Sequence, residues 1–253
     1  MIPPDLDRTT SALFLDIDGT LLEIAARPAD VVVPRGLPAL LERLCRQLDG
    51  ALAIVSGRPL RDIDRLLDPF HYCAAGEHGA ELRFADGRVQ RAAGELTVPA
   101  SWRSALEAAA QRWPGVQIED KPYGLTVHYR LAPDRGEEVR RLARALVPDD
   151  HPWFRLLPAR EAIEIGPRGA SKGQAVERLM EQNAFRGRRP IFVGDDVTDE
   201  AGISVAHEMG GVGLRVGEVF GGDPAQVRAW LMRSAERLNG HAPVGAARPE
   251  SAA

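Results

Sequence analysis

Two aspartates close an apolar run in Leu13-Phe14-Leu15-Asp16-Ile17-Asp18-Gly19-Thr20-Leu21. The run reads as a buried strand, and α/β folds place their chemistry at the ends of such strands. Two carboxylates there can divide the labour of phosphoryl transfer, one attacking phosphorus and one handling the proton. Alone, the pattern is equally that of a strand followed by an Asp-rich turn. Three further signals follow in chain order: Ser56 before Gly57-Arg58, Lys172, and Gly194-Asp195-Asp196-Val197-Thr198-Asp199-Glu200. Singly, Ser56 could be a turn residue, Lys172 a solvated helix residue, and Thr198 or Asp199 a helix cap. Together they are far less ordinary. Asp16/Asp18, Ser56 and Asp195/Asp196 each follow a strand expected to be parallel to the others, and the carboxyl ends of parallel strands share one edge of a sheet.

One reaction would use all of these groups. A carboxylate attacking a phosphate monoester meets charge repulsion unless cations neutralise the phosphoryl oxygens. Mg²⁺ prefers carboxylate, carbonyl and water oxygens, and Asp16 and Asp195 can supply two. Lys172 adds a fixed positive charge, and the Ser56 hydroxyl can donate to a phosphate oxygen. Asp18 can protonate the leaving alkoxide and then deprotonate the water that hydrolyses an aspartyl-phosphate.

The surrounding elements must bring these groups together. Gly36 to Leu48 has apolar residues at helical spacing, Ala51 to Val55 reads as a second strand, Pro59 to Leu67 as a short helix and Tyr72 to Ala75 as a third strand. Strands alternating with helices predict a parallel sheet with helices on both faces. The pattern changes after Gly76-Glu77-His78-Gly79. A hairpin around Asp86-Gly87 is followed by a helix over 99–113, strands over 116–119 and 125–131, a helix over 137–146, and strands over 153–157 and 162–165. Helix-strand-strand repeated twice is an α+β unit, so residues 81–165 are expected to form an inserted domain between core segments 1–80 and 166–240. The first pattern resumes with a helix over 172–182, a strand over 190–193, a helix over 200–207 and a strand over 211–216. A last helix opens at Asp223-Pro224, and 241–253, rich in Ala, Pro and Gly, is expected to be a disordered tail.

Bulk properties set the class. The 253 residues, 44% hydrophobic and 27% charged, are those of an ordinary globular chain. A net charge of −4 without long basic runs argues against a nucleic-acid partner. Cys45 and Cys73 are expected to be core fillers. No apolar run approaches the roughly 18 residues that cross a bilayer, and the start lacks the features of a leader, so a cytoplasmic enzyme without a membrane partner is expected.

With its D-x-D-G-T at 16–20, Ser56, Lys172 and G-D-D-x-T-D-E at 194–200, the chain resembles the haloacid-dehalogenase superfamily of phosphatases. The resemblance implies a Rossmann-like parallel-sheet core with an inserted α+β cap of the C2 type. It implies Asp16 as nucleophile, Asp18 as acid/base, and Mg²⁺ held by the Asp16 carboxylate, the Asp18 backbone carbonyl and Asp195, with Asp196 and Asp199 supporting. Within the insert, 116–121, 127–130 and 163–173 resemble the cap of the trehalose-6-phosphate phosphatases, as do Ser56-Gly57-Arg58 and Gly76-Glu77-His78-Gly79. That likeness implies that Glu119, Lys121 and Glu164 hydrogen-bond sugar hydroxyls, which need both donors and acceptors. Gly166 departs from the pattern, standing where family members often carry a basic residue.

Other roles stay open. Glu119 and Lys121 could be a solvated pair, and His128 a strand-pair histidine. Glu77 and His78 could touch ligand or merely shape a loop; Arg58 could cap a helix or contact phosphate. The implied substrate is trehalose 6-phosphate, in the last step of trehalose biosynthesis, by a monomer paired functionally with a trehalose-6-phosphate synthase. Sucrose phosphate and mannosylglycerate phosphate are rival substrates. A receiver-like phospho-acceptor module is a rival of another class, and a non-catalytic carbohydrate-binding protein a more distant one.

Overall fold

Apolar runs bounded by turn residues become strands, and helically spaced ones become helices, in the computed structural model, which describes residues 2–69, 73–91 and 96–240. The order is β1 (Ser11–Leu15), α1 (Leu37–Gln47), β2 (Leu52–Val55), α2 (Leu60–Leu67), β3 (Cys73–Gly76), β4 (Glu81–Arg83), β5 (Val89–Arg91) and α3 (Ala100–Arg112). There follow β6 (Gln117–Asp120), β7 (Leu125–His128), α4 (Gly136–Leu146), β8 (Phe154–Ala159), β9 (Ala162–Pro167) and α5 (Lys172–Met180). The chain continues with β10 (Arg189–Gly194), α6 (Glu200–Glu208), β11 (Val212–Arg215), α7 (Val216–Val219) and α8 (Pro224–Gly240). Of the segments expected from sequence, Tyr72 and residues 241–253 lie outside the described residues.

A seven-stranded sheet runs β11-β10-β1-β2-β3-β4-β5. β1 pairs in parallel with both β10 and β2, and β11 and β3 extend the two sides. The order therefore reverses at β1. Right-handed crossovers leaving that point in opposite directions set helices on opposite faces, and a crevice opens at the carboxyl ends of the strands where they diverge. β1 and β2 are buried along their whole lengths, as strands covered on both faces must be. Cys45 and Cys73 are buried and unbridged, filling this core. α5 lies close on α6 because residue 173 is glycine; a Cβ there would sit 2.7 Å from the Ala201 carbonyl oxygen.

The hairpin expected at the start of the inserted unit belongs elsewhere. β4 pairs antiparallel with β3, and β5 with β4, so 81–91 forms the edge of the large sheet. Leu82 and Phe84 carry it there, since both side chains join the core of that sheet. The strand expected over 125–131 ends at His128, where the chain turns and Ala132 N donates to the Tyr129 carbonyl.

A second, wholly antiparallel sheet runs β6-β7-β9-β8. Its two faces follow from the period of 2 along each strand. Leu125, Val127, Ile163 and Ile165 pack in one apolar cluster with Leu106 of α3 and Val139 and Ala143 of α4. The opposite face carries Glu119, Thr126 and Glu164 in one cross-strand row. Among the described residues, no helix is long and apolar enough to cross a membrane.

The two sheets meet at a buried polar seam. Lys121 Nζ donates to the Gly57 carbonyl at 2.9 Å, and the Glu77 carboxyl accepts from Tyr123 N at 3.0 Å. Glu77 and His78 both have left-handed backbones, with φ of 45° and 57°, a strain that side chains rarely accept. Burial pushes the Glu77 carboxyl up to about 8, with Lys121 opposing. The folded chain therefore keeps this proton where the unfolded chain has lost it. The associated stability is complete below the ordinary value of 4.5 and is lost as pH rises to about 8. Glu77→Gln, with no proton to lose, should flatten the fall in thermal midpoint across that window. An unchanged pH profile would rule out this contribution.

Candidate active site

The crevice at the strand reversal is the pocket, and the polar face of the second sheet looks into it. Asp16, Asp18, Ser56, Arg58, Lys172 and Asp195 line it from the large sheet, and Glu119, Lys121, Thr126, His128 and Glu164 from the small one. The sequence-predicted residues thus converge from the ends of β1, β2 and β10, the start of α5 and the small sheet. Among the catalytic, metal and sugar candidates, Asp199 and Glu77 stand behind that surface, each buried.

At the centre, Lys172 Nζ donates to Asp16 Oδ1 at 2.7 Å and to Asp199 Oδ1 at 2.6 Å, all three residues being buried. Burial alone would lower the lysine's proton affinity; Asp16 and then Asp199 outweigh it and raise the affinity. Asp16 is raised well above the usual carboxylate range by burial and the charge of Asp199, against the pull of Lys172. Asp195 is pushed up to about 7 by burial, then by Asp199 and Asp196. One lysine leaves this cluster short of positive charge.

Carboxylate oxygens of Asp16, Asp195 and Asp199 lie within 4.8 Å of one another. An all-oxygen donor set with excess negative charge fits a hard divalent cation. Gly19 completes the cradle with φ of 81°: a Cβ there would stand 2.0 Å from an Asp195 carboxylate oxygen. Asp199 is the most committed of the three carboxylates, for its other oxygen accepts from Asp195 N and Asp196 N at 3.1 and 3.0 Å. The bond from Asp196 N is half of a capping box with Asp196 as the N-cap of the 3₁₀ turn 197–199, two or three residues before the cap expected at Thr198 or Asp199. Asp199 holds the N-cap position of α6 but makes no side-chain cap bond there. Asp199 stiffens the loop that presents Asp195.

Arg58 lines the pocket but does not cap a helix. The N-cap of α2 is Pro59 and has no side-chain cap bond. The guanidinium instead grips Asp18, with Nε and Nη2 donating to the two carboxylate oxygens at 2.6 and 2.7 Å. Ser56, buried, turns its hydroxyl to accept from Arg58 N at 3.2 Å.

The small sheet presents alternating charge. Lys121 donates to Glu164 at 2.8 Å, and His128 faces Glu119 at 2.8 Å, so Glu119 and Lys121 are not a solvated pair with each other. Burial raises Glu164, but Lys121 and then His78 hold it well below the usual range. His78 Nε2 stands 3.2 Å from Glu164 without the geometry of a hydrogen bond. Gly166 lies on β9 beside Leu157, with an ordinary 3.5 Å clearance for a Cβ.

Sequence reading missed three contributors. Thr20 Oγ1 donates to Asp16 Oδ2 at 3.2 Å, and Thr126 Oγ1 to Glu164 at 3.4 Å. Arg130 reaches from the small sheet to the Ala25 carbonyl. Thr20 stands within the first acidic motif, and Thr126 shares the alternating face of Glu164; those were the available signals.

Comparison with known proteins agrees with this geometry. The family model described as trehalose-phosphatase matches residues 14–227. A probable trehalose-phosphate phosphatase of Sinorhizobium fredii is 44% identical over 93% of this chain and 87% of its own length. A trehalose-6-phosphate phosphatase of Escherichia coli is 36% identical over 81% of this chain and 77% of its own. In fold, the chain is similar to the C-terminal domain of the Candida albicans trehalose-6-phosphate phosphatase, with TM-score 0.77 at 21% identity over 90% of this chain and 92% of that one. The chain belongs to the trehalose-phosphatase family of phosphoric monoester hydrolases, within the haloacid-dehalogenase superfamily.

Proposed function

We propose that this enzyme hydrolyses trehalose 6-phosphate to trehalose and phosphate through a phosphoryl group carried on Asp16, with Mg²⁺ as its cation. The buried Lys172 bridge between Asp16 and Asp199 carries the reading, because it fixes one carboxylate beside a cation where a phosphoryl group would sit. In the first step an Asp16 oxygen attacks phosphorus, the bond from phosphorus to the sugar oxygen breaks, and Asp18 gives that oxygen a proton. In the second, a water attacks the same phosphorus, Asp18 takes the water's proton, and the bond to Asp16 breaks, releasing phosphate. Lys172 and the Ser56 hydroxyl serve the phosphoryl oxygens, whose charge must be neutralised for a carboxylate to approach.

Asp16, Asp195 and the Asp18 backbone carbonyl would hold Mg²⁺, with Asp196 and Asp199 supporting. Bound there, the cation supplies the positive charge that the acidic cluster lacks and screens the phosphate from Asp16.

Residues 96–167, with their own apolar core, act as the cap. Glu119, Lys121 and Glu164 recognise the sugar, His128 sets Glu119, and His78 closes the wall beside Glu164. Glu77 works behind them, holding Tyr123 of the cap. A face of alternating donors and acceptors suits a polyhydroxylated leaving group and has no use in a receiver module.

Three outcomes test this reading. Asp16→Asn should retain the fold by circular dichroism and lose turnover; an active variant would remove Asp16 as nucleophile. Glu119→Ala and Lys121→Ala should lose roughly 10- to 100-fold in kcat/KM for trehalose 6-phosphate, and much less for 4-nitrophenyl phosphate. Equal losses on the two substrates would sink sugar recognition by the cap. EDTA should silence the enzyme and Mg²⁺ restore it, and Mg²⁺ should raise the thermal midpoint of the wild type more than that of Asp195→Ala. Full activity in EDTA would refute the metal assignment.

A further inference from the structure

The segment between β1 and α1 crosses the mouth of the pocket, which Ile24, Ala25, Arg27, Pro28 and Val31 line. Apart from Val31, which packs against the core of the large sheet at its far end, it has little apolar anchorage. Its one turn of 3₁₀ helix, Pro28–Asp30, buries no residue, and Ile24 is 36% exposed. At its near end Arg228 of α8 grips the Leu21 carbonyl and the Glu23 carboxylate. Beyond that point two guanidinium groups reach it from opposite sides. From the cap, Arg130 Nη1 donates to the Ala25 carbonyl. From the core, Arg58 Nη2 donates to the Pro28 carbonyl at 3.1 Å while the same guanidinium chelates Asp18.

Arg130 is itself anchored. Its Nε donates to Glu161 at 3.1 Å and its Nη2 to the Arg160 carbonyl at 3.0 Å. Glu161 adopts φ of 54°, a third strained non-glycine backbone in the cap and seam after Glu77 and His78. Strain held in place by hydrogen bonds marks a side chain that has been aimed. The contacts form one chain: Glu161, Arg130, Ala25, Pro28, Arg58, Asp18.

We infer that Arg130 is a positioning residue for Asp18, acting from the cap through the 23–31 segment and Arg58. Docking on the Ala25 carbonyl fixes the segment, the Pro28 carbonyl then holds Arg58 in one rotamer, and Arg58 holds the acid/base carboxylate by both oxygens. A guanidinium suits both ends, because its planar fork can bind several acceptors without changing orientation. The inference rests on Asp18 as acid/base, the role proposed above, and gives the cap a part in the proton transfer besides recognition of the sugar.

Aryl phosphates test it, since they lack the hydroxyls that the cap recognises. An impaired general acid makes kcat/KM depend more steeply on the basicity of the leaving group. Arg130→Ala should steepen that slope, costing roughly 10- to 100-fold for the poorest leaving groups and little for the best. Amides of residues 24–30 should exchange hydrogen faster in the variant, and Asp18→Asn/Arg130→Ala should lose no more than Asp18→Asn alone. Glu161→Gln, which removes only one anchor, should move the slope the same way by less, and serves if Arg130→Ala folds poorly. A wild-type slope in both variants, unchanged exchange, or losses that add fully to those of Asp18→Asn would overturn the inference. If Asp18→Asn itself leaves the slope unchanged, the acid/base assignment falls; if it steepens the slope and the Arg130 variant does not, only the relay falls.

Discussion

A lysine buried between two carboxylates constrains everything else in this structure. Removing Lys172, Asp16 or Asp199 from water is costly, and breaking such a cluster by removing one member typically costs about 3–5 kcal/mol. The cluster persists because each charge finds a partner at hydrogen-bond distance, which requires the ends of β1 and β10 and the start of α5 to be placed to within fractions of an ångström. The parallel pairing of β1 with β10 sets the first two, and the close approach of α5 to α6 at Gly173 sets the third. The hydrophobic core is the means by which this arrangement is held rigid.

The pairing principle extends across the pocket. Arg58 is matched with Asp18, Lys121 with Glu164 and His128 with Glu119. A sugar phosphate entering here meets oriented donors and acceptors whose desolvation was met on folding, so little reorganisation is needed when charge moves. The acidic cluster at the bottom is the exception, with more negative charge than Lys172 can balance, and that imbalance is what a divalent cation would correct.

Polar contacts join cap and core beside one small apolar cluster of Ala80, Tyr123 and Ala170. Lys121 to Gly57, Tyr123 to Glu77 and Arg130 to Ala25 all cross the boundary through a main-chain group on at least one side. The apolar clusters of the two units are separate. Contacts of this kind can be broken and remade without exposing a core, which suits a cover that must admit a substrate and then surround it.

From sequence alone, the four motifs, the parallel-sheet core and the inserted α+β unit were legible, because they are set by local periodicity and turn chemistry. Pairing between distant segments was not. The hairpin at 81–91 has the same local pattern in either unit, and only its hydrogen bonds to β3 assign it to the large sheet. That Arg58 grips Asp18, 40 positions earlier in the chain, is not visible until the intervening segment is folded back on itself. Glu77 reads equally as a ligand contact or a loop-shaping residue until Tyr123 N arrives against it. Arg130, though within the 127–130 stretch that resembles the family's cap, shows no partner until Ala25 is folded against it. Short-range patterns determined which elements form and which residues could do chemistry. Which side chain holds which was decided only by tertiary structure, because an ion pair or a carbonyl contact depends on distances that strand order and cap placement alone set.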